Sequence, residues 1–279
     1  MHFEFPRRSV RVETIVNGLW DLSIRAGDTV LVHSSLSRFG EVNGGAETVI
    51  RALLQAVGEE GTILAPTLTG TREDGPTHPP RFNVRTTPCW TGRVAETLRL
   101  WPGAIRSLGP THSVTALGSD ARRLLAGHED CRTPCGAASP YVKLAKAGGK
   151  IIFFGVTLDA NTTFHAAEEL ACVPYHLQQE STPCLIIDET GRELKRDCLL
   201  HYWNHKRRFH ELEEVLFGKG ILKRGFVGPV HTLIVESAPM MEFTLGILKR
   251  DPWYLVETRE LSMIKRIMRK VEYFMPVTK

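Results

Sequence analysis

Apolar positions along the chain alternate between short continuous runs and helically spaced faces. After an amphipathic stretch from about Ser9 to Leu22, Thr29–His33 is a β-branched apolar run behind Gly27-Asp28, as a strand buried on both faces requires. Ser34–Gly40 is a loop of small residues. Gly44-Gly45 then leads into Ala46–Val57, where Val49, Ile50, Leu53, Leu54 and Val57 recur at helical spacing until Gly58. Thr62–Ala65 returns as a strand, so the unit predicts a right-handed βαβ crossover.

Beyond it, residues 68–89 are rich in Gly, Pro, Thr and Arg without periodicity, which makes them a candidate functional lid. Helices are predicted over Thr91–Leu100, Ser119–Ala126 and Tyr141–Ala147, with a strand over Ser113–Gly118. Lys150–Gly155 is the clearest buried strand, and Thr162-Thr163 can cap a helix that carries Phe164–Cys172. Pro183–Asp188 and Arg192–Cys198 flank Glu189-Thr-Gly191 as a hairpin. His205–Phe217 is expected as a charged helix, Val230–Glu236 as a strand and Met240–Lys249 as a helix. A last helix over Val256–Phe274 has a basic face of Lys265, Arg266, Arg269 and Lys270. The pattern predicts an α/β fold, a mixed central sheet with flanking helices in two interleaved lobes.

Composition changes this picture little. The 279 residues are 42% hydrophobic and 24% charged, which excludes intrinsic disorder. No signal peptide or membrane span is evident, and the six cysteines lack paired spacing, so a cytoplasmic protein with free thiols is expected. Residues 1–200 carry 21 basic and 22 acidic side chains, whereas residues 201–279 carry 14 and 9. The overall excess of +4 does not indicate a nucleic-acid partner, and the basic helix reads as a docked surface helix with a solvated basic face rather than a nucleic-acid or membrane contact.

Chemistry concentrates where Lys150–Gly155 runs into the next helix. His165 stands three and four residues before Glu168 and Glu169, so one carboxylate can share the imidazole's face, orient it and stabilise its protonated form. The same spacing also serves surface pairs; the buried strand in front of it points to a general base. The loop His33-Ser34-Ser35-Leu36-Ser37 offers backbone donors to phosphate or pantetheine-like ligands but matches neither a P-loop nor a dinucleotide fingerprint. Arg106-Ser107 and Thr111-His112-Ser113 lie in a turn-rich stretch. Cys172, His176, His201, His205 and His210 are close in sequence, yet only His201 and His205 have the spacing of a helical metal pair. No Glu accompanies them as in H-E-x-x-H, and no metal is expected.

Taken in order, Val32-His-Ser-Ser-Leu-Ser37 with Gly44-Gly45, Ala65-Pro-Thr67, Thr91-Gly-Arg-Val-Ala-Glu96, Arg106-Ser107 with Pro110 and Ser113, Pro134-x-Gly136 with Ser139-Pro140, and Asn161-Thr-Thr-Phe-His165-x-x-Glu168 resemble the aminoglycoside 3-N-acetyltransferases. These acetyl-CoA-dependent enzymes are unrelated in fold to the GNAT acetyltransferases. The resemblance implies one domain over 1–279, with coenzyme A and catalytic motifs in 1–180 and the acceptor side completed by 181–279. It implies that His33, Ser34, Ser35, Leu36, Ser37, Arg106, Ser107, Thr111, His112 and Ser113 hold coenzyme A, and that His165, oriented by Glu168, is the base in a direct transfer.

Asp159, Asn161 and Glu169 would then receive the acceptor amine, an aminoglycoside or related amino sugar. A homodimer is compatible with this reading, and neither a membrane nor nucleic acid is a partner. One departure from the family is Gly109, where a His commonly precedes the Pro; His112 follows two residues after Pro110. The alternatives are a catalytically silent coenzyme A-binding relative and an acyltransferase for a different small amine.

Overall fold

The structure, a computed structural model, describes residues 9–257. Its centre is a seven-stranded mixed sheet ordered β4-β5-β2-β1-β6-β10-β9. The strands are β1 (Thr29–Ser34), β2 (Thr62–Pro66), β4 (Ile105–Arg106), β5 (Val114–Gly118), β6 (Lys150–Phe154), β9 (Leu222–Val227) and β10 (Val230–Glu236). β1 pairs in parallel with β2 and β6, and the outer pairings are antiparallel. Helix α2 (Gly45–Val57) connects β1 to β2, as the crossover pattern predicts.

Strand pleating divides the core in two. Leu31, Leu64, Ile151, Phe153 and Leu233 point to one face, where they meet α5 (Pro140–Lys146), α6 (Thr162–Leu170) and α8 (Ser237–Arg250). Val30, Val32, Ile63, Ile152, Phe154 and Ile234 point to the other and pack on α1 (Val12–Asp21), α2 and α3 (Arg93–Arg99). Helices on both faces are why the central strands read as continuous apolar runs.

A second sheet is built from separate parts of the chain: β3 (Arg81–Asn83) runs parallel to β7 (Thr182–Ile187), which forms the expected hairpin with β8 (Glu193–Cys198). The 68–89 segment is therefore pinned rather than free-standing. Arg106 reinforces it, donating from its guanidinium to the carbonyls of Thr87 (2.6 Å) and Thr67 (2.7 Å) and lying 4.7 Å over the Phe82 ring. No sequence periodicity could reveal this, because a three-residue strand gains its hydrogen bonds only from a partner about a hundred residues away.

Two expectations are corrected. The cap of α6 is Asn161, whose side chain accepts from the Thr163 N–H at 3.0 Å, so the helix begins at Thr162. The charged helix expected over His205–Phe217 is shorter: residues 205–208 are irregular, and one 3-10 turn (Phe209–Leu212) precedes the short α7 (Glu213–Gly218). Arg207 and Arg208 there are drawn into tertiary polar contacts that a helical face could not reach together. The His201/His205 spacing accordingly builds no helical pair. β9 escaped notice because an edge strand with Lys223, Arg224 and Gly225 at its middle lacks an apolar signature. The C-terminal helix predicted from Val256 falls, beyond Glu257, outside the described residues. Among the described residues no helix is long and apolar enough to cross a membrane.

Candidate active site

A cleft of about 410 Å³ opens at the carboxyl ends of β1, β2 and β6, where open α/β sheets place their ligands. His33 and Ser34 end β1, Pro66 ends β2, and Val156 follows β6; Thr162 and His165 come from the first turns of α6. Leu68, Trp90, Thr91 and Gly92 form one wall, and His112, Asp159 and Trp203 form another. Its apolar lining with a few converging polar groups is typical of a small-molecule site.

His165 is the titratable group at the base of this cleft. Its Nδ1 lies 2.7 Å from Glu168 Oε2, across the i, i+3 step of α6. The carboxylate fixes the tautomer with hydrogen on Nδ1 and leaves the Nε2 lone pair for the cleft. Glu168 is fully buried. Desolvation pushes its carboxyl upward, but His176, His165 and Arg207 outweigh it and hold the group down to about 2. Arg207 Nε donates to Glu168 Oε1 at 3.1 Å, and its NH2 group donates to His176 Nδ1 at 2.7 Å. The His165 ring is thus backed by an ionised carboxylate, itself fixed by a cation from the irregular 201–208 segment.

Glu169, one residue on, points away. Its Oε1 accepts from the Cys135 N–H (2.8 Å) and contacts His201 Nε2 (2.7 Å), and burial raises its carboxyl to about 8. Neither it nor Asn161 can meet an acceptor as expected, since both are buried; the Asn161 amide donates to Met240 Sδ at 3.2 Å. Asp159 does face the cleft, and it accepts from the backbone N–H of His210 (3.0 Å) and contacts His210 Nδ1 (2.9 Å).

The residues expected at coenzyme A divide similarly. His33, Ser34 and His112 line the cleft. Ser35, Leu36 and Ser37 sit on a 3-10 turn beside it without lining it, with Ser35 Oγ 3.1 Å from Ser37 Oγ. Arg106, Ser107, Thr111 and Ser113 lie behind the wall. Ser113 Oγ donates to the Thr67 carbonyl (2.7 Å) and accepts from Arg106 Nε (2.9 Å), while Ser107 Oγ accepts from the Val114 N–H (2.8 Å) and meets His128 Nδ1 (2.8 Å). Thr111 Oγ1 meets His112 Nδ1 at 3.0 Å. Their hydrogen bonds shape the wall. The Gly109 departure has a steric cause, for a Cβ there would lie 2.4 Å from the His128 ring. Sequence reasoning missed Trp90, Trp203 and above all Arg207, which carry no local motif.

Burial leaves several of these imidazoles neutral: His33 is pushed down to about 3 and His128 to about 4. Both titrate near 6.5 when unfolded, so the unfolded chain binds more protons below that pH. Stability is therefore unaffected above pH 6.5 and falls as the pH drops toward 4. Each group contributes a slope of about 1.4 kcal/mol per pH unit there, so from pH 6 to 5 the pair removes roughly 2–3 kcal/mol. Urea midpoints measured from pH 8 to 5 should fall only below about 6.5; a flat profile would show these rings to be solvated.

A model of the aminoglycoside 3-N-acetyltransferase family matches residues 31–249. Aminoglycoside N(3)-acetyltransferase VII of Streptomyces paromomycinus is 37% identical over 269 residues, with 82% of this chain and 88% of the relative covered. Among solved structures, AAC-IIIb in its binary complex with CoASH superposes with a TM-score of 0.75 at 27% identity, covering 86% of this chain and 97% of that one. AAC-VIa bound to sisomicin gives 0.75 at 25% identity, covering 87% and 98%. The match spans the crossover, the cleft and the His165–Glu168 helix alike, and the chain belongs to the aminoglycoside 3-N-acetyltransferase family.

Proposed function

We propose that this protein transfers the acetyl group of acetyl-CoA to a primary amine of an aminoglycoside or related amino sugar, with His165 as general base. The observation that carries this reading is the His165–Glu168 pair at the base of the cleft, in the family whose relatives hold CoASH and sisomicin. The amine must lose a proton as it attacks the thioester carbonyl. His165 Nε2 accepts that proton, and the ionised Glu168 stabilises the imidazolium that forms. The thiolate of coenzyme A departs when the tetrahedral intermediate collapses. Direct transfer needs no acyl-enzyme, and among the described residues no cysteine lines the cleft. In this reading His33, Ser34 and the neighbouring 3-10 turn hold the coenzyme, and Asp159 meets the acceptor's ammonium groups.

One observation favours a second acceptor class. Among the described residues Asp159 is the sole carboxylate lining the cleft, and it already engages His210, while Glu168 is balanced by Arg207. This gives weak attraction to a polycation, so an amine of lower charge is the alternative. Thiol release from acetyl-CoA, measured across aminoglycosides and monoamines with coenzyme binding followed in parallel, separates the readings. Aminoglycoside-dependent release supports the first and monoamine-only release the second. Coenzyme binding without release for any amine would mark a catalytically silent relative.

A further inference from the structure

We propose that His112, Cys135 and His201 form a buried zinc site behind the catalytic pair. The inference is independent of the acyl-transfer reading. Two imidazoles and a thiol make up a donor set that Zn²⁺ takes readily. Here they converge from three distant places: the segment between β4 and β5, the turn before α5, and the bridge that pairs Leu177 with His201 after β8. Each offers one ligand atom, and the three atoms lie within 4.8 Å of one another. All three side chains are at least nine-tenths buried, and Cys135 is a free thiol.

The hydrogen bonding around the two rings is that of metal ligands. His201 Nε2 is engaged by Glu169 Oε1 at 2.7 Å and His112 Nδ1 by Thr111 Oγ1 at 3.0 Å. The opposite nitrogens, His201 Nδ1 and His112 Nε2, are buried without a partner. When the engaged nitrogen carries the hydrogen, the other presents its lone pair inward; a carboxylate behind the ring is a recurrent support of zinc-bound histidine. Unpaired buried polar atoms are costly, so a shared occupant is expected. The fourth position is left to water, because His176, whose Nδ1 accepts from Arg207, carries its ring hydrogen on Nε2.

Binding replaces the Cys135 thiol proton by the metal: the S–H bond breaks, the proton leaves to solvent, and a Zn–S bond forms. The ion would fix His112, which lines the cleft, and His201, whose ring centroid is 5.2 Å from that of His165. Its role is therefore to hold the wall behind the base.

The test uses the untagged full chain, depleted of metal, confirmed as folded by circular dichroism and titrated with Co²⁺. A tetrahedral cobalt spectrum with a thiolate charge-transfer band is expected, together with about one zinc per chain in the protein as purified. Cys135→Ser should lose the charge-transfer band, and Glu169→Gln, which leaves all three ligands in place, should weaken metal affinity about 10- to 100-fold. If Cys135→Ser does not fold, His201→Gln serves, with loss of the tetrahedral spectrum as its readout. A folded wild-type protein giving no cobalt spectrum, or a spectrum unchanged in the ligand variants, overturns the site and leaves the nitrogens to ordered water.

Discussion

Replacing His165 by Ala is expected to lower kcat for acetyl transfer by about 10²- to 10⁴-fold, the range that a positioned general base supplies. Coenzyme A affinity should stay close to wild type, because the ring sits beneath the cleft rather than along the loop after β1. The fold should also survive. Glu168 keeps Arg207 Nε at 3.1 Å when His165 is lost, so its charge is not stranded. Steady-state rates, coenzyme binding by calorimetry and thermal unfolding on one preparation make the comparison. Wild-type turnover in the variant would remove His165 from the mechanism, and lost coenzyme binding would make it a structural residue instead.

The largest stability effect belongs to Arg207. Its guanidinium is the only permanent cation touching the fully buried Glu168 carboxylate among the described residues. Arg207→Met keeps much of the aliphatic volume and removes the charge. Breaking a buried pair from one side costs about 3–5 kcal/mol, and Tm should fall by roughly 10 °C.

The sign of the pH effect follows from Glu168. Held down to about 2, its carboxyl contributes stability that is present above its unfolded value and is lost as pH falls toward 2. Without Arg207 that carboxyl rises and less of this stability remains at neutral pH. The acid limb of kcat/KM should move to higher pH, because Glu168 then becomes protonated sooner and no longer supports the imidazolium. Adding Glu168→Gln to Arg207→Met should recover part of the lost Tm while leaving activity low. An unchanged Tm and pH profile in the single variant would show that Glu168 needs no cation.

Much of the site's backbone was legible locally. The runs at Thr29–His33 and Lys150–Gly155 are apolar at every position because helices cover both faces of the sheet, and that signal needs no partner to be read. The step from strand to capped helix then placed His165 at the carboxyl edge. Two carboxylates at i+3 and i+4 were equally plausible partners, and helical geometry alone could not choose. The choice fell to Glu168 because Arg207 and His176 stand on its side, whereas Glu169 is claimed by Cys135 and His201.

The sequence by itself determined the βαβ crossover, the hairpin, the position of His165 at the sheet's carboxyl edge and the family, because each rests on spacing within a few residues or on motifs kept in order. Tertiary structure alone decided which acid pairs with His165 and that Asn161 and Glu169 are buried. It also decided that the wall is tied together by Arg106, Ser107 and Ser113, and that four histidines from distant segments share one interior. Those outcomes depend on desolvation and on charged and polar groups brought into hydrogen-bonding range by folding. Neither quantity is a function of local sequence, since both are set by what the rest of the chain packs against each side chain.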